Sequence, residues 1–216
     1  MGRAAVLDPA YTALIASIHA LGGASMNLKE LVVRNRSYRR FHQDAPVDLD
    51  TLKELVDLAR LSASGRNLQP LKYKLVNTPA VCAQVFPHLA WAGYLKDWPG
   101  PVEGERPAAC IVMLGDKELT RNFGVDPGIA AQTILLGATE KGLGGCIIGS
   151  VQREPVAKIL GIPERYEILY VIALGKPKET VVIEPLPASG DIRYWRDAAG
   201  AHHVPKRALD DIILPG

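Results

Sequence analysis

The chain has 216 residues, 48% of them hydrophobic, with 25 basic against 23 acidic side chains and a net charge of +2. That length suits one domain with a sizeable core, and the near-neutral balance gives no reason to expect nucleic acid as a partner. There is no membrane-length apolar run and no secretory signal pattern in residues 1–27, and three widely spaced cysteines (Cys82, Cys110, Cys146) predict reduced thiols in the cytoplasm rather than disulfides.

Residues 9–21 (PAYTALIASIHAL) read as a helix, with Asp8 as cap, Pro9 at the first position and Gly22-Gly23 as the stop. Asn27 caps a second helix from Leu28 to about Asn35, with Leu28, Leu31 and Val32 on one face. This helix delivers Arg34-Asn35-Arg36-Ser37-Tyr38-Arg39-Arg40-Phe41, four arginines in seven residues. A guanidinium presents a fixed fork of donors that fits phosphate and planar acceptors. Charge alone also allows a solvated helix end, because helix C-termini favour cations.

Asp48 or Asp50 opens a helix over 49–62, where Leu49, Leu52, Leu55, Val56 and Ala59 repeat at helical spacing. Ser62 to Pro70 breaks the periodicity, and Pro70 disfavours helix at Gln69. Residues 71–76 alternate apolar and polar, a strand with one wet face. Thr78-Pro79 starts a short helix ending near Pro87. Residues 91–106 (WAGYLKDWPGPVEGER) form an irregular aromatic loop, a candidate lid or a packed surface loop. Residues 108–114 are a central strand. Residues 127–141 are a helix apolar nearly all round, which predicts burial in the core or between subunits. Glycines flank a short strand at 142–150 and would let a ligand approach the backbone. Helix 153–160 and strand 167–174 follow, with Gly175-Lys176-Pro177 expected to stop the strand. The polar tail 176–216 carries Tyr194-Trp195, His202-His203 and Ile212-Ile213-Leu214, and reads as an arm packed on its own body or on a partner. The expected organisation is one domain overall: a helical extension at 1–26, a ligand-binding core at 27–175 and an arm at 176–216.

The five histidines show no ligand spacing, so no metal is expected. Ser64 lacks a nucleophile elbow around it. The glycines Gly142, Gly144 and Gly145 precede a strand instead of joining strand to helix, which excludes a dinucleotide-binding turn. What remains is non-covalent capture of a phosphorylated planar ligand. Arg36, Ser37 and Arg39 can meet phosphate or carbonyl oxygens. Ser64, Asn67 and Gln69 supply neutral donors and acceptors. The segment from Gly145 through Ile147, Ile148 and Gly149 offers backbone N–H groups, and Lys206 and Arg207 add positive charge.

Taken together, Asn-Arg-Ser-Tyr-Arg-Arg-Phe at 35–41, Ser-Gly-Arg-Asn-Leu-Gln-Pro at 64–70, Gly-Leu-Gly-Gly-Cys followed by Ile147-Ile148-Gly149, and Lys206-Arg207 resemble the FMN-dependent nitroreductase-like oxidoreductases. The resemblance runs from about Leu28 to Ile213. One departure is Asn35, where that family often has the first of two consecutive arginines; Arg34 lies one position earlier. The resemblance implies an α+β fold with a mixed, mainly antiparallel sheet flanked by helices. It implies an intertwined homodimer with FMN in the subunit interface and an extended C-terminal arm. Arg36, Ser37 and Arg39 would lie along FMN, with Arg39 near the pyrimidine edge as an electrostatic stabiliser. Ser64 and Asn67 would come from the partner subunit or its side of the interface, with Gln69 also among the cofactor-binding residues. Ile148 and Gly149 would put backbone N–H groups near the flavin's N5, with Ile147 also cofactor-binding, and Lys206 and Arg207 would hold the phosphate. No side chain is assigned as a general acid, since the chemistry is the flavin's. The implied activity is ping-pong hydride transfer from NADH or NADPH to a nitroaromatic, quinone or related conjugated acceptor. The alternatives are a flavin-dependent dehalogenase or flavin-fragmenting relative, and an FMN-binding protein without turnover.

Overall fold

The computed structural model describes residues 26–216. The helix expected at 9–21, and with it nearly all of the expected N-terminal extension, lies outside the described residues. Asn27 caps α1 (Leu28–Arg34) through a reciprocal capping box with Glu30. Asp48 caps α2 (Leu49–Arg60) by accepting from the Thr51 N–H at 2.6 Å. The remaining helices are α3 (Pro79–Val85), α4 (Asp126–Glu140) and α5 (Arg153–Leu160). The strands are β1 (Phe41–His42), β2 (Leu71–Val76), β3 (Ala109–Asp116), β4 (Gly144–Ile148) and β5 (Tyr166–Pro177), followed by β6 (Val181–Pro185), β7 (Trp195–Arg196) and β8 (His202–Lys206).

Strands β1 to β5 form one antiparallel sheet in which β5 pairs with β1, β3 and β4, and β3 pairs with β2. Every residue of β3 is buried, as its unbroken apolar run requires of a strand covered on both faces. Alternation along the strands then sorts the core into two layers. Ile111, Met113, Ile172 and Leu174 meet Leu52 and Leu55 of α2 and Ala131 and Ile134 of α4. Cys110, Val112, Leu114, Val171 and Ala173 belong to the layer of Val85 on α3 and Val156 and Leu160 on α5. Strand β2 sits at an edge, where Lys72 and Lys74 keep its outer face charged.

One element departs from the sequence reading and two add to it. Gly175-Lys176-Pro177 does not stop β5, because Lys176 and Pro177 pair with His42 and Phe41. The tail, read as a packed arm, carries a small mixed sheet in which β6 and β8 run parallel and β7 joins β8 antiparallel. The apolar face of α1 is uncovered in the single chain, with Leu28 68% exposed and no residue of the helix buried.

Gly145 is fixed by packing. A Cβ there would lie 2.5 Å from the backbone oxygen of Ala173 and 2.7 Å from Leu135 Cδ2. The oxygen belongs to a paired strand and cannot retreat. Gly145→Ala should therefore lower stability by about 2–3 kcal/mol, read as a lower urea midpoint. Gly149→Ala, which meets only Tyr170 carbons at 3.7 Å or more, should leave that midpoint unchanged.

Candidate functional site

The arginine stretch leaves α1 and runs beside the outer edge of β4, where the Tyr38 N–H donates to the Gly145 carbonyl at 3.0 Å. Its course is fixed by one carboxylate from the far end of the chain. Glu179, buried just past β5, accepts from the backbone N–H groups of Arg39 and Arg40. Its other oxygen takes the Arg196 guanidinium at 2.9 Å. Successive side chains of an extended segment point to opposite sides. Arg40 turns to Glu105 in a two-pronged pair at 2.6 Å for each bond. Arg39 turns the other way, into a cavity.

That cavity holds about 290 Å³ and is lined by Arg36, Ser37, Arg39, Ile147 and Lys206 of the sequence-predicted set. Asn35, Tyr194, His202 and Val204 also line it. Arg39 and Ile147 also line an adjoining cavity of about 190 Å³, together with Ile148, Gly149 and residues 90–93. Neither lining contains an acidic residue. Alternation on β4 explains the two roles there: Ile147 projects outward, while Ile148 is buried in the core and can offer only backbone to a ligand. Arg36 lines the cavity, whereas Arg34 contacts the Met26 sulfur at 3.2 Å.

Arg39 is held on three sides. Its Nη1 donates to the Ser37 carbonyl at 3.2 Å, its guanidinium carbon lies 5.0 Å from the centre of the Tyr194 ring, and Nη1 lies 3.3 Å from His202 Nε2. A guanidinium only donates, so Nε2 accepts and His202 is neutral with its proton on Nδ1. Burial, followed by the charges of Arg39, Arg196 and His203, pushes the His202 pKa down to about 4. The neighbouring His203 is engaged elsewhere: it lies between Glu184 at 3.0 Å and Asp197 at 3.3 Å, stacked on Trp195.

The single chain does not bring Ser64, Asn67 and Gln69 to this cavity. Ser64 and Gln69 line a separate cavity of about 480 Å³ beside α2, β2 and the start of α4. Asn67 and Arg207 are exposed and line neither site. Their loop is nonetheless built with strain: Arg66, Asn67 and Gln69 all have left-handed backbones, at φ 54°, 54° and 51°. Asp126 clamps it by accepting from the Ser64 hydroxyl at 2.6 Å and the Gly65 N–H at 2.8 Å. The Ser64 oxygen in turn accepts from the Gln69 N–H at 2.9 Å. Ser64 thus spends its one donor on holding the loop, which leaves Asn67 and Gln69 as the outward-facing groups.

Sequence reasoning missed Tyr194, His202 and Glu179. The histidine pair and the Tyr-Trp pair stand out in the tail, yet nothing local says which member is buried. Burial also pushes the Cys82, Cys110 and Cys146 thiols up, so none is an activated nucleophile. Among the described residues no cluster of His, Cys, Asp and Glu could hold a metal ion, and no helix is long and apolar enough to cross a membrane.

His202 predicts an acid sensitivity. An unfolded imidazole binds its proton near 6.5 and the folded one only at about 4. Between those values the unfolded chain holds more protons, so the stability linked to this group is complete above 6.5 and fades as pH falls toward 4. The urea midpoint should drop between pH 7 and pH 4.5, and less steeply in His202→Asn. Equal slopes would remove His202 as the cause.

Comparison with known proteins agrees with this architecture. The family model described as the Nitroreductase family matches residues 32–176. An NADPH-flavin oxidoreductase of Vibrio harveyi is 42% identical over 74 residues, a match spanning 33% of this chain and 31% of that protein. The crystal structure of a nitroreductase family protein from Clostridium novyi NT superposes with a TM-score of 0.59 at 25% identity, covering 71% of this chain and 86% of the other. The NADPH:FMN oxidoreductase of Vibrio harveyi complexed with NAD+ superposes with a TM-score of 0.57 at 26% identity, over 74% of each chain. A family match across two-thirds of the sequence, on a shared fold, places this chain in the nitroreductase family.

Proposed function

We propose that this chain is an FMN-dependent oxidoreductase that moves a hydride from NADH or NADPH to a nitroaromatic, quinone or related conjugated acceptor. The reading includes a cytoplasmic homodimer with FMN at the subunit interface. The observation that carries it is the convergence of Arg36, Ser37, Arg39 and Lys206 on one cavity without a carboxylate in its lining. Such a lining favours an anionic ligand rich in acceptors. Relatives whose names include NADPH-flavin or NADPH:FMN oxidoreductase support the choice of flavin and reductant.

The residues present fit FMN. Lys206 and Arg36 supply charge for a phosphate. Ser37 and Arg39 supply donors for polar edges, and Ile147, Leu135 and Val204 supply apolar wall for a flat ring system. Bound FMN supplies the two-electron redox chemistry, while the protein supplies position and charge. Arg39, fixed before any ligand arrives, makes no ion pair among the described residues. Its charge is therefore available to an electron-rich ring edge.

The dimer is supported by what one chain leaves uncovered. Leu28 of α1, Leu61 after α2, Val125 before α4 and Leu214 of the tail are 68%, 66%, 70% and 89% exposed. These side chains are free to be covered by a partner surface. A second copy would also give the clamped loop of Asn67 and Gln69 something to face, consistent with its donors completing the partner's site.

The purified protein should be yellow, and NADH or NADPH without oxygen should bleach it, with reoxidation by a quinone or nitroaromatic. Colour that persists with both reductants would leave a flavin-binding protein without turnover. Light scattering on the eluting species should give twice the chain mass. Arg39→Ala should lower the flavin midpoint potential and slow reduction at least tenfold, more than it weakens FMN binding, since a preorganised charge acts mainly on the reduced form. Unchanged reduction kinetics would refute the electrostatic role.

A further inference from the structure

The cavity of about 190 Å³ beside the one assigned to the flavin shares Arg39 and Ile147 with it. Its walls are the turn at 90–93 and the end of β4 with the two residues that follow. They are tied together before any ligand arrives: the Ala90 N–H donates to the Ser150 carbonyl at 3.0 Å, and Leu89 bridges Val151. Trp91 is buried in the first wall, and the chain at Gly100 passes so close that a Cβ there would lie 2.7 Å from the indole. Ala92 next to it has a left-handed backbone at φ 38°. Strain of this kind persists only where the surroundings over-determine it, and it gathers at ligand sites.

Among the described residues lining this cavity, Arg39 is the one charged side chain. The carbonyls of Ala92, Gly149 and Ser150 already accept from the N–H groups of Leu95, Val151 and Ala90. The Ser150 hydroxyl is neutral, and burial keeps the Cys146 thiol so. Arg39 is partly exposed, and its five N–H donors exceed the two bonds it gives to Ser37 and His202. Gly93 stands at the exposed rim, with no atom within 4 Å of where a Cβ would be. Neither packing nor a left-handed backbone requires glycine there, in contrast to Gly145.

We infer that this smaller cavity is the subsite of the electron acceptor, that it takes a single-ring conjugated compound with an anionic substituent, and that Arg39 binds that substituent while Gly93 sets the size limit. This rests on the FMN reading and gives it a substrate class. The volume lies below the roughly 300 Å³ at which pockets begin to enclose drug-sized ligands, so it suits one ring and not a fused set. A guanidinium with no carboxylate in the lining favours an anion over its neutral isostere. The shared Arg39 and Ile147 put the acceptor directly against the flavin's cavity, the proximity that transfer between them requires.

The oxidised holoprotein, without reductant, is titrated with 4-nitrobenzoate and with 4-nitrobenzamide, and binding is read from the perturbation of the flavin absorption. The two compounds share a ring and a nitro group and differ in charge. 4-Nitrobenzoate should bind about five- to tenfold more tightly, the advantage of a charged over a neutral hydrogen bond. Gly93→Phe should weaken 4-nitrobenzoate by about tenfold or more through crowding. Its Kd for FMN, measured on the flavin-stripped chain by fluorescence quenching, should be unchanged, as should its thermal midpoint. Equal binding of the two compounds, no perturbation by either, or a Gly93→Phe variant that binds 4-nitrobenzoate as wild type does would overturn the assignment. A folded Gly93→Phe variant that loses FMN would put the flavin itself in the smaller cavity and overturn it as well. The two-compound comparison uses wild type, so it decides the matter even where Gly93→Phe fails to fold. A wild-type protein that binds no FMN would instead overturn the flavin reading itself.

Discussion

A buried carboxylate sets the course of the arginine stretch, on which the candidate site depends. Glu179 comes immediately after the longest strand and takes two backbone N–H groups and one guanidinium. An ionised carboxylate removed from water is costly unless its oxygens are satisfied. Here it is satisfied by the peptide backbone of the arginine stretch. The same bonds that stabilise the charge therefore fix where Arg39 and Arg40 point. They also tie the root of the C-terminal sheet to the segment leaving α1. Arg196 completes the arrangement from β7, its guanidinium lying over the Trp98 ring at 4.1 Å.

Once that carboxylate is placed, the arginines are sorted by duty. Arg40 neutralises Glu105, and Lys178 approaches the same carboxylate at 3.4 Å. Arg196 neutralises Glu179. Arg39 is left facing a cavity lined by no acid, steadied by an aromatic face and a neutral imidazole. A basic run that could have been a solvated helix end becomes a divided set, partly paired with carboxylates and partly facing a cavity.

The second feature of the design is the loop at 64–70. Three non-glycine residues in left-handed conformations are unfavourable, and Asp126 holds them there from the first turn of α4. Strain that is fastened this firmly and yet presented outward gains a purpose in the proposed dimer, where Asn67 and Gln69 would meet the flavin of the other subunit. The uncovered apolar side chains of α1 and the tail would be covered by the same proposed partner.

Much of the scaffold was legible from local pattern. Asn27 and Asp48 cap helices because their side-chain oxygens reach the first free N–H groups, and that requires only neighbours in the chain. Alternation in residues 71–76 and the apolar run of β3 gave their strands for similar reasons. The arginine-serine-arginine segment raised anion binding by residue type, and charge alone left a solvated helix end equally open. Three-dimensional proximity decided the rest. Glu179 reaches Arg39 across 140 positions, and His202 reaches it across 163. The parallel pairing of β6 with β8 made a sheet from a stretch that looked irregular. A histidine or glutamate carries no local mark of the cations it will meet, because its protonation and its partners are set by burial, and burial is a property of the packed chain.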